Sequence, residues 1–131
     1  METVKIDEVL NHPVEDVWAI FADVTRCDWV PAVDVISLRD DVRYFHMEGV
    51  GEVAERILLL DHDRHCLQYS AIESPAPLEH HLATIQLSAA ERGCHLLWTT
   101  EIAPDQFLPA IENGMTLSFE GLKKVLGEGS R

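Results

Sequence analysis

Three side chains able to move protons stand at positions that a folded sheet could bring together: Glu55, Tyr69 and His81. General acid–base chemistry uses such groups when each lies within hydrogen-bond reach of the reacting atom. Each also has a plainer reading. Glu55 can be a solvated rim carboxylate, Tyr69 a structural tyrosine with a satisfied hydroxyl, and His81 an exposed residue at a strand start. A second group, Asp61-His62-Asp63-Arg64-His65-Cys66, has the donor types of a metal site. Zinc ligands usually come with a second pair at defined spacing, and this sequence has none. Asp and His in such a run suit a hairpin turn, where they bond their own backbone. Neither a metal nor a cofactor is expected. A phosphate-binding glycine loop and a G-x-S-x-G nucleophile elbow are both missing from the sequence. Cys66 and Cys94 lack a basic neighbour that would activate a thiol, so they read as small buried side chains.

Whether the three groups converge depends on the elements that carry them. Thr3 to Leu10 alternates as a first strand. Pro13 then suits a first helical turn, with Glu15 and Asp16 at the positive end of the helix dipole. Val14, Val17, Trp18 and Phe21 follow at the spacing of one buried helical face. A second short helix is expected over Val24 to Trp29, ending before Pro31. From there the period is two: Val33 to Leu38, Val42 to Glu48, Glu52 to Leu60, Cys66 to Glu73, His80 to Ser88 and Cys94 to Ile102. The short connections imply antiparallel neighbours. A long amphipathic helix closes the chain, with Asp105 as its expected N-cap, Pro109 near its start and Gly127 at its end. Gly114 inside that helix costs about 1 kcal/mol relative to alanine, and a close approach to the sheet or a bend would explain it.

Strand parity then assigns faces, because successive side chains point to opposite sides. Val53, Glu55, Ile57 and Leu59 share one face of their strand. Leu67, Tyr69 and Ala71 share a face of the next, followed by His81, Ala83, Ile85 and Leu87. Cys94, Leu96, Trp98, Thr100 and Ile102 share a face of the last. Between Arg43, Phe45 and Met47 and the alternate set, the inward choice is Phe45 and Met47. The helix supplies Ile111, Met115 and Phe119 opposite them. The expected cavity lining is therefore Phe45, Met47, Glu55, Ile57, Tyr69, His81, Ile85, Trp98, Ile111, Met115 and Phe119. It is mostly apolar with one polar spot.

Composition sets the outer bounds. The 131 residues suit one domain, and 47% of them are apolar, enough for a core without metal or disulfide support. A net charge of −13 argues against nucleic acid or an anionic membrane surface as partner. Three cysteines cannot all pair internally, and the first residues show no basic region followed by an apolar run. The expectation is a cytoplasmic protein without membrane insertion, as a monomer or homodimer.

Three segments carry a resemblance. HPVEDVWAIFADV followed by WVPAV gives a helix with a Val-Trp pair and a Trp-x-Pro. GVGEVAERILLLD is a Gly-led strand with a Glu-Arg-Ile step. YSAIESPAPLEHHLATIQL and LLWTTEIAPD give a Tyr strand, a Ser-Pro-x-Pro bend and a Trp strand that leads into the last helix. With their order, these resemble the START/Bet v 1-like (SRPBCC) superfamily, in its polyketide cyclase/dehydrase and lipid transport branch. The resemblance covers residues 1–131 as a single domain. It implies an α+β helix-grip fold: a curved antiparallel sheet of about seven strands around a long C-terminal helix, with two short helices between strands one and two. It also implies a small hydrophobic ligand, such as a lipid, polyketide or isoprenoid-like molecule, held between sheet and helix.

Three functions follow as alternatives. The first is a carrier or sensor of such a ligand. The second is an aromatase/cyclase-type enzyme with Glu55, Tyr69 and His81 as its acid/base set. The third is an interaction module whose ligand moves the Ser74-Pro75-Ala76-Pro77 rim. Fold alone does not choose among them.

Overall fold

The computed structural model describes residues 1–127. A strand β1 (Glu2–Leu10) leads into helix α1 (Val14–Ala22), and six strands follow: β2 (Ile36–Arg39), β3 (Val42–Met47), β4 (Gly51–Asp61), β5 (Cys66–Glu73), β6 (His80–Ala90) and β7 (Gly93–Ala103). A 3-10 turn (Asp105–Phe107) opens the closing helix α2 (Leu108–Leu126). All strand pairs are antiparallel, in the spatial order β1-β7-β6-β5-β4-β3-β2. The chain therefore runs as a meander from β2 to β7 and closes on β1.

The expected alternation holds best in β7, where Cys94, Leu96, Trp98, Thr100 and Ile102 are all buried. Val17, Trp18, Ile20 and Phe21 bury one face of α1, which packs on β6 and β7. Leu10, Leu67, Ile85, Leu87, Leu96 and Leu122 complete a close-packed core at this end of the sheet.

One expected helix is not formed. Val24 to Trp29 is a run of turns, and the following strand begins at Ile36 rather than Val33. The segment is instead shaped by tertiary packing. Trp29 and Val33 are buried, and Trp29 stacks edge-on against Phe21 and Trp98. Local helix propensity is too weak over six residues to resist such packing.

Two β-bulges bend the β4–β5 pair. Ala54 faces Glu73 while Glu55 faces Ala71, which leaves Ile72 as an extra residue in β5. Ile57 faces Tyr69 while Leu59 faces Gln68, which leaves Leu58 as an extra residue in β4. Bulges strengthen local twist and bend the bulged strand, so this pair supplies the curvature that wraps the helix. They also reset parity. Leu59, expected to face inward, is 39% exposed, and Leu60 opposite buried Leu67 takes the inner position.

The closing helix ends as expected, with Gly127 left-handed (φ 89°) and its N–H on the carbonyls of Lys123 and Lys124. Its start differs. Asp105 makes no side-chain cap and pairs with the Met1 ammonium at 3.1 Å, while Pro109 falls in the first turn of α2. The close approach also lies elsewhere than expected. A Cβ on Gly114 would meet nothing within 4 Å, whereas one on Gly121 would fall 2.0 Å from the Trp29 carbonyl oxygen. Gly121 is what lets the C-terminal half of α2 seat on the Trp29 turn. Gly121→Ala should destabilise the fold by about 1–3 kcal/mol, because backbone must shift to admit one methyl group. Urea denaturation measures this, and an unchanged midpoint would contradict the contact.

Candidate ligand-binding cavity

The C-terminal half of α2 packs down through Gly121 and Leu122, but its N-terminal half stands off the sheet. The space left is a cavity of about 220 Å3. Phe45, Met47 and Val53 from β3 and β4 form one wall, Tyr69, Ala71, His81, Trp98 and Thr100 from β5 to β7 form the floor, and Phe107, Ala110, Ile111, Gly114, Met115 and Ser118 form the helical wall. Val50 in the β3–β4 turn and Ser74, Ala76 and Leu78 in the β5–β6 loop stand at one end. Gly51 keeps that end compact. Its φ of +121° is strained for other residues, and an added Cβ would lie 2.8 Å from the Pro75 ring. An adjoining space of about 90 Å3, bounded by Trp29, Val33, Arg43 and Ser118, extends toward the Trp29 turn.

Of the residues expected at the cavity, Phe45, Met47, Glu55, Tyr69, His81, Trp98, Ile111 and Met115 line it. Three expected residues do not. Ile85 is fully buried in the packed core, Ile57 precedes the β4 bulge and packs on that core, and Phe119 lies against Lys123, whose ammonium is 4.9 Å from the ring centroid. Arg43, which the expected lining leaves out, borders the adjoining space. It shares strand parity with Phe45 and Met47, and it sits opposite Glu55 in the β3–β4 register, so both signals were in the sequence.

Arg43 organises the polar spot. Its Nε donates to Glu55 Oε1 at 2.8 Å, with the two side chains only 11% and 14% exposed. Its Nη1 donates to the Val24 carbonyl at 3.1 Å, and its guanidinium lies 4.6 Å over the Tyr69 ring. Burial raises the Tyr69 phenol well above its ordinary pKa, and the Glu55 charge pushes the same way. Arg43 and the adjacent Trp98 indole N–H oppose this only in part. That indole makes no hydrogen bond of ordinary geometry, and among the described residues Trp98 Nε1 and Trp29 Nε1 are buried without a partner. Tyr69 is thus held as a neutral donor.

His81 owes its state to a break in the sheet. The β5–β6 ladder runs only from Cys66 to Tyr69 before the strands part. Side chains bridge the gap: the Ala71 N–H donates to His81 Nδ1 at 2.9 Å, and the Ser70 hydroxyl donates to the His81 carbonyl. An Nδ1 that accepts leaves the proton of the neutral ring on Nε2. Burial lowers the His81 pKa; Glu55 raises it in part, and His80 lowers it further. The unfolded chain therefore takes up this proton more readily, so stability from neutral His81 is full above about pH 6.5 and is lost as pH falls through the lower folded value. The stability gap between wild type and His81→Gln should shrink between about pH 7 and pH 5. A gap that widens on acidification would contradict the assigned state.

Outside the cavity, the histidines of the Asp61–Cys66 turn are engaged with α1. Trp18 Nε1 donates to His62 Nδ1 at 3.1 Å, and both His62 and His65 pack edge-on against the indole. Asp61 Oδ1 accepts the backbone N–H groups of Asp63 and Arg64, as expected for such a turn. His80 pairs with Glu101 at 2.9 Å on the outer side. Cys27, Cys66 and Cys94 are free thiols, and burial raises the pKa of each. Among the described residues no helix is long and apolar enough to cross a membrane.

A seven-stranded sheet gripping one long helix over an apolar cavity defines the helix-grip class of ligand-binding fold. Within that class the chain belongs to the polyketide cyclase / dehydrase and lipid transport family, whose model matches residues 1–127, and so to the START/Bet v 1-like superfamily. Solved structures agree on the fold. The chain is similar to the protein XoxI from Bacillus cereus (TM-score 0.86, 18% identity, covering 100% of this chain and 99% of that one). It is similar to the Zhui aromatase/cyclase from Streptomyces sp. R1128 (TM-score 0.81, 18% identity, 99% and 96% covered). It is also similar to Ara h 8.0201 (TM-score 0.77, 14% identity, 95% and 96% covered). The search of curated proteins gives no match.

Proposed function

We propose that this protein binds a small hydrophobic molecule between the sheet and the N-terminal half of α2, as a carrier or sensor. The observation that carries this reading is the cavity itself: about 220 Å3, walled mostly by carbon, with a few polar groups on one side. Small-molecule sites have this makeup, although those for drug-sized ligands hold about 300–1,000 Å3. The smaller volume favours a single ring system or a short chain over a two-chain lipid.

An aromatase/cyclase-type enzyme is the second reading, favoured by the convergence of Glu55, Tyr69 and His81 on one cavity. Their states weigh against it. A general base needs a free lone pair near the reacting proton. Glu55 is tied to Arg43, His81 Nδ1 is occupied by Ala71, and the Tyr69 phenol is raised far from neutrality. Native mass spectrometry of gently purified protein is the test. A bound hydrophobic molecule of unchanged mass after prolonged incubation supports the carrier. Its conversion to a product favours the enzyme, and protein with no affinity for any apolar small molecule refutes both.

A further inference from the structure

The polar groups of the cavity are not a random scatter. Among the described residues Tyr69 Oη and His81 Nε2 line the cavity or belong to residues that do, and neither donates a hydrogen bond of ordinary geometry within the protein. Both are donors in the states derived above. They come from neighbouring strands on the same inner face: Tyr69 pairs with Ala83, two residues along β6 from His81. Their rings are 6.2 Å apart at the centroids and tilted by 42°. Diagonal neighbours of this kind reach a common point above the sheet. The Trp98 indole N–H faces the phenol oxygen without a hydrogen bond of ordinary geometry, which leaves the phenol's own proton free to donate.

Unpaired donors in an apolar site are costly unless the occupant supplies an acceptor. The neighbouring charges narrow which acceptor. Arg43 and Glu55 neutralise each other at 2.8 Å, so the spot offers no net charge for an ion of either sign. A carboxylate entering here would meet Glu55, and an ammonium would meet Arg43. An sp² oxygen has two lone pairs spread in one plane and can take two donors at once.

Resting on the ligand-binding reading above, we infer that the ligand presents an uncharged carbonyl oxygen to Tyr69 Oη and His81 Nε2, with its hydrocarbon part against Ile111, Gly114 and Met115 of α2. Tyr69 and His81 are then specificity-determining residues, and Arg43 is a positioning residue that holds the Tyr69 ring from above.

Three probes of one skeleton test this: 2-acetylnaphthalene, its alkene isostere 2-isopropenylnaphthalene, and 2-naphthoate, each titrated calorimetrically into the wild-type protein. The ketone should bind about tenfold tighter than the alkene, the worth of one or two well-made hydrogen bonds, and the carboxylate should bind more weakly than the ketone. Tyr69→Phe keeps the ring and should erase most of the ketone's advantage over the alkene. The carbonyl stretch of the bound ketone should lie at lower frequency in wild type than in Tyr69→Phe, a signature that a merely structural role would not produce. Equal affinity for ketone and alkene would overturn the carbonyl assignment and leave the ligand-binding reading standing. Tightest binding of the carboxylate would also overturn it. Failure of all three probes to bind would bring down the ligand-binding reading and this inference together.

Discussion

Arg43→Ala is expected to lower the free energy of unfolding by about 3–5 kcal/mol, the range for removing one partner of a buried ion pair. The loss exceeds that of a surface bridge for three reasons visible in the site. Both side chains are nearly excluded from water, the Val24 carbonyl loses its donor, and the face of Tyr69 loses its cation. Most of the effect is the penalty of leaving the Glu55 carboxylate in a weakly solvated place, not the worth of the bond itself. Replacing both members with apolar residues, Arg43→Met with Glu55→Leu, should therefore recover much of the stability. Chemical denaturation of the two single variants and the double variant gives the coupling directly. A loss below about 1 kcal/mol for Arg43→Ala would mean that the pair is screened like an exposed one.

Gly114→Leu is expected to abolish ligand binding while the protein stays folded. Gly114 sits among Ala110, Ile111, Met115 and Ser118, at the centre of the helical stripe that walls the cavity. Its Cβ position opens on empty space, so a leucine there projects into the ligand volume without striking the backbone. Replacing a mid-helix glycine also removes a backbone-entropy penalty of up to about 1 kcal/mol. Stability and binding should therefore move in opposite directions. Affinity for 2-acetylnaphthalene should fall by about 100-fold or more, equivalent to about 2.7 kcal/mol, while the denaturation midpoint holds or rises. A variant that binds as well as wild type would place the ligand elsewhere. One that unfolds would show that the space around Gly114 is not open, and Gly114→Ala, which adds a single methyl, would then separate the two effects.

The framework of this fold was legible because it rests on periodicity. Alternation placed the strands to within a few residues, and the apolar stripe of α2 with Gly127 at its end placed the closing helix. Inward parity was clearest on β7, which pairs with neighbours along its whole length and has no bulge to reset it. Where the chain departs from regular pairing, the reading failed for a physical reason. The bulge at Leu58 turned Leu59 outward, and six residues around Val24–Trp29 were too few to form a helix against the pull of Trp29 into the core. The polar spot was half legible. Parity places Glu55 and Tyr69 inward, but the expected lining takes Phe45 and Met47 from β3 without Arg43, whose ion pair with Glu55 becomes visible only once strands are paired. Gly114 shows the same limit. As a sequence feature it suggests a close contact or a bend, and the structure gives the close contact to Gly121 and makes Gly114 part of the open volume.

The three methionines offer the most direct test of the ligand cavity. Met47 on β3 and Met115 on α2 line it from opposite sides, while Met1 is exposed at the start of β1. In protein carrying 13C-methyl methionine, titration with 2-acetylnaphthalene should move the Met47 and Met115 signals together, saturating at one equivalent, and leave Met1 in place. Signals that stay fixed for Met47 and Met115, or a shift confined to Met1, would contradict a ligand site between the sheet and α2.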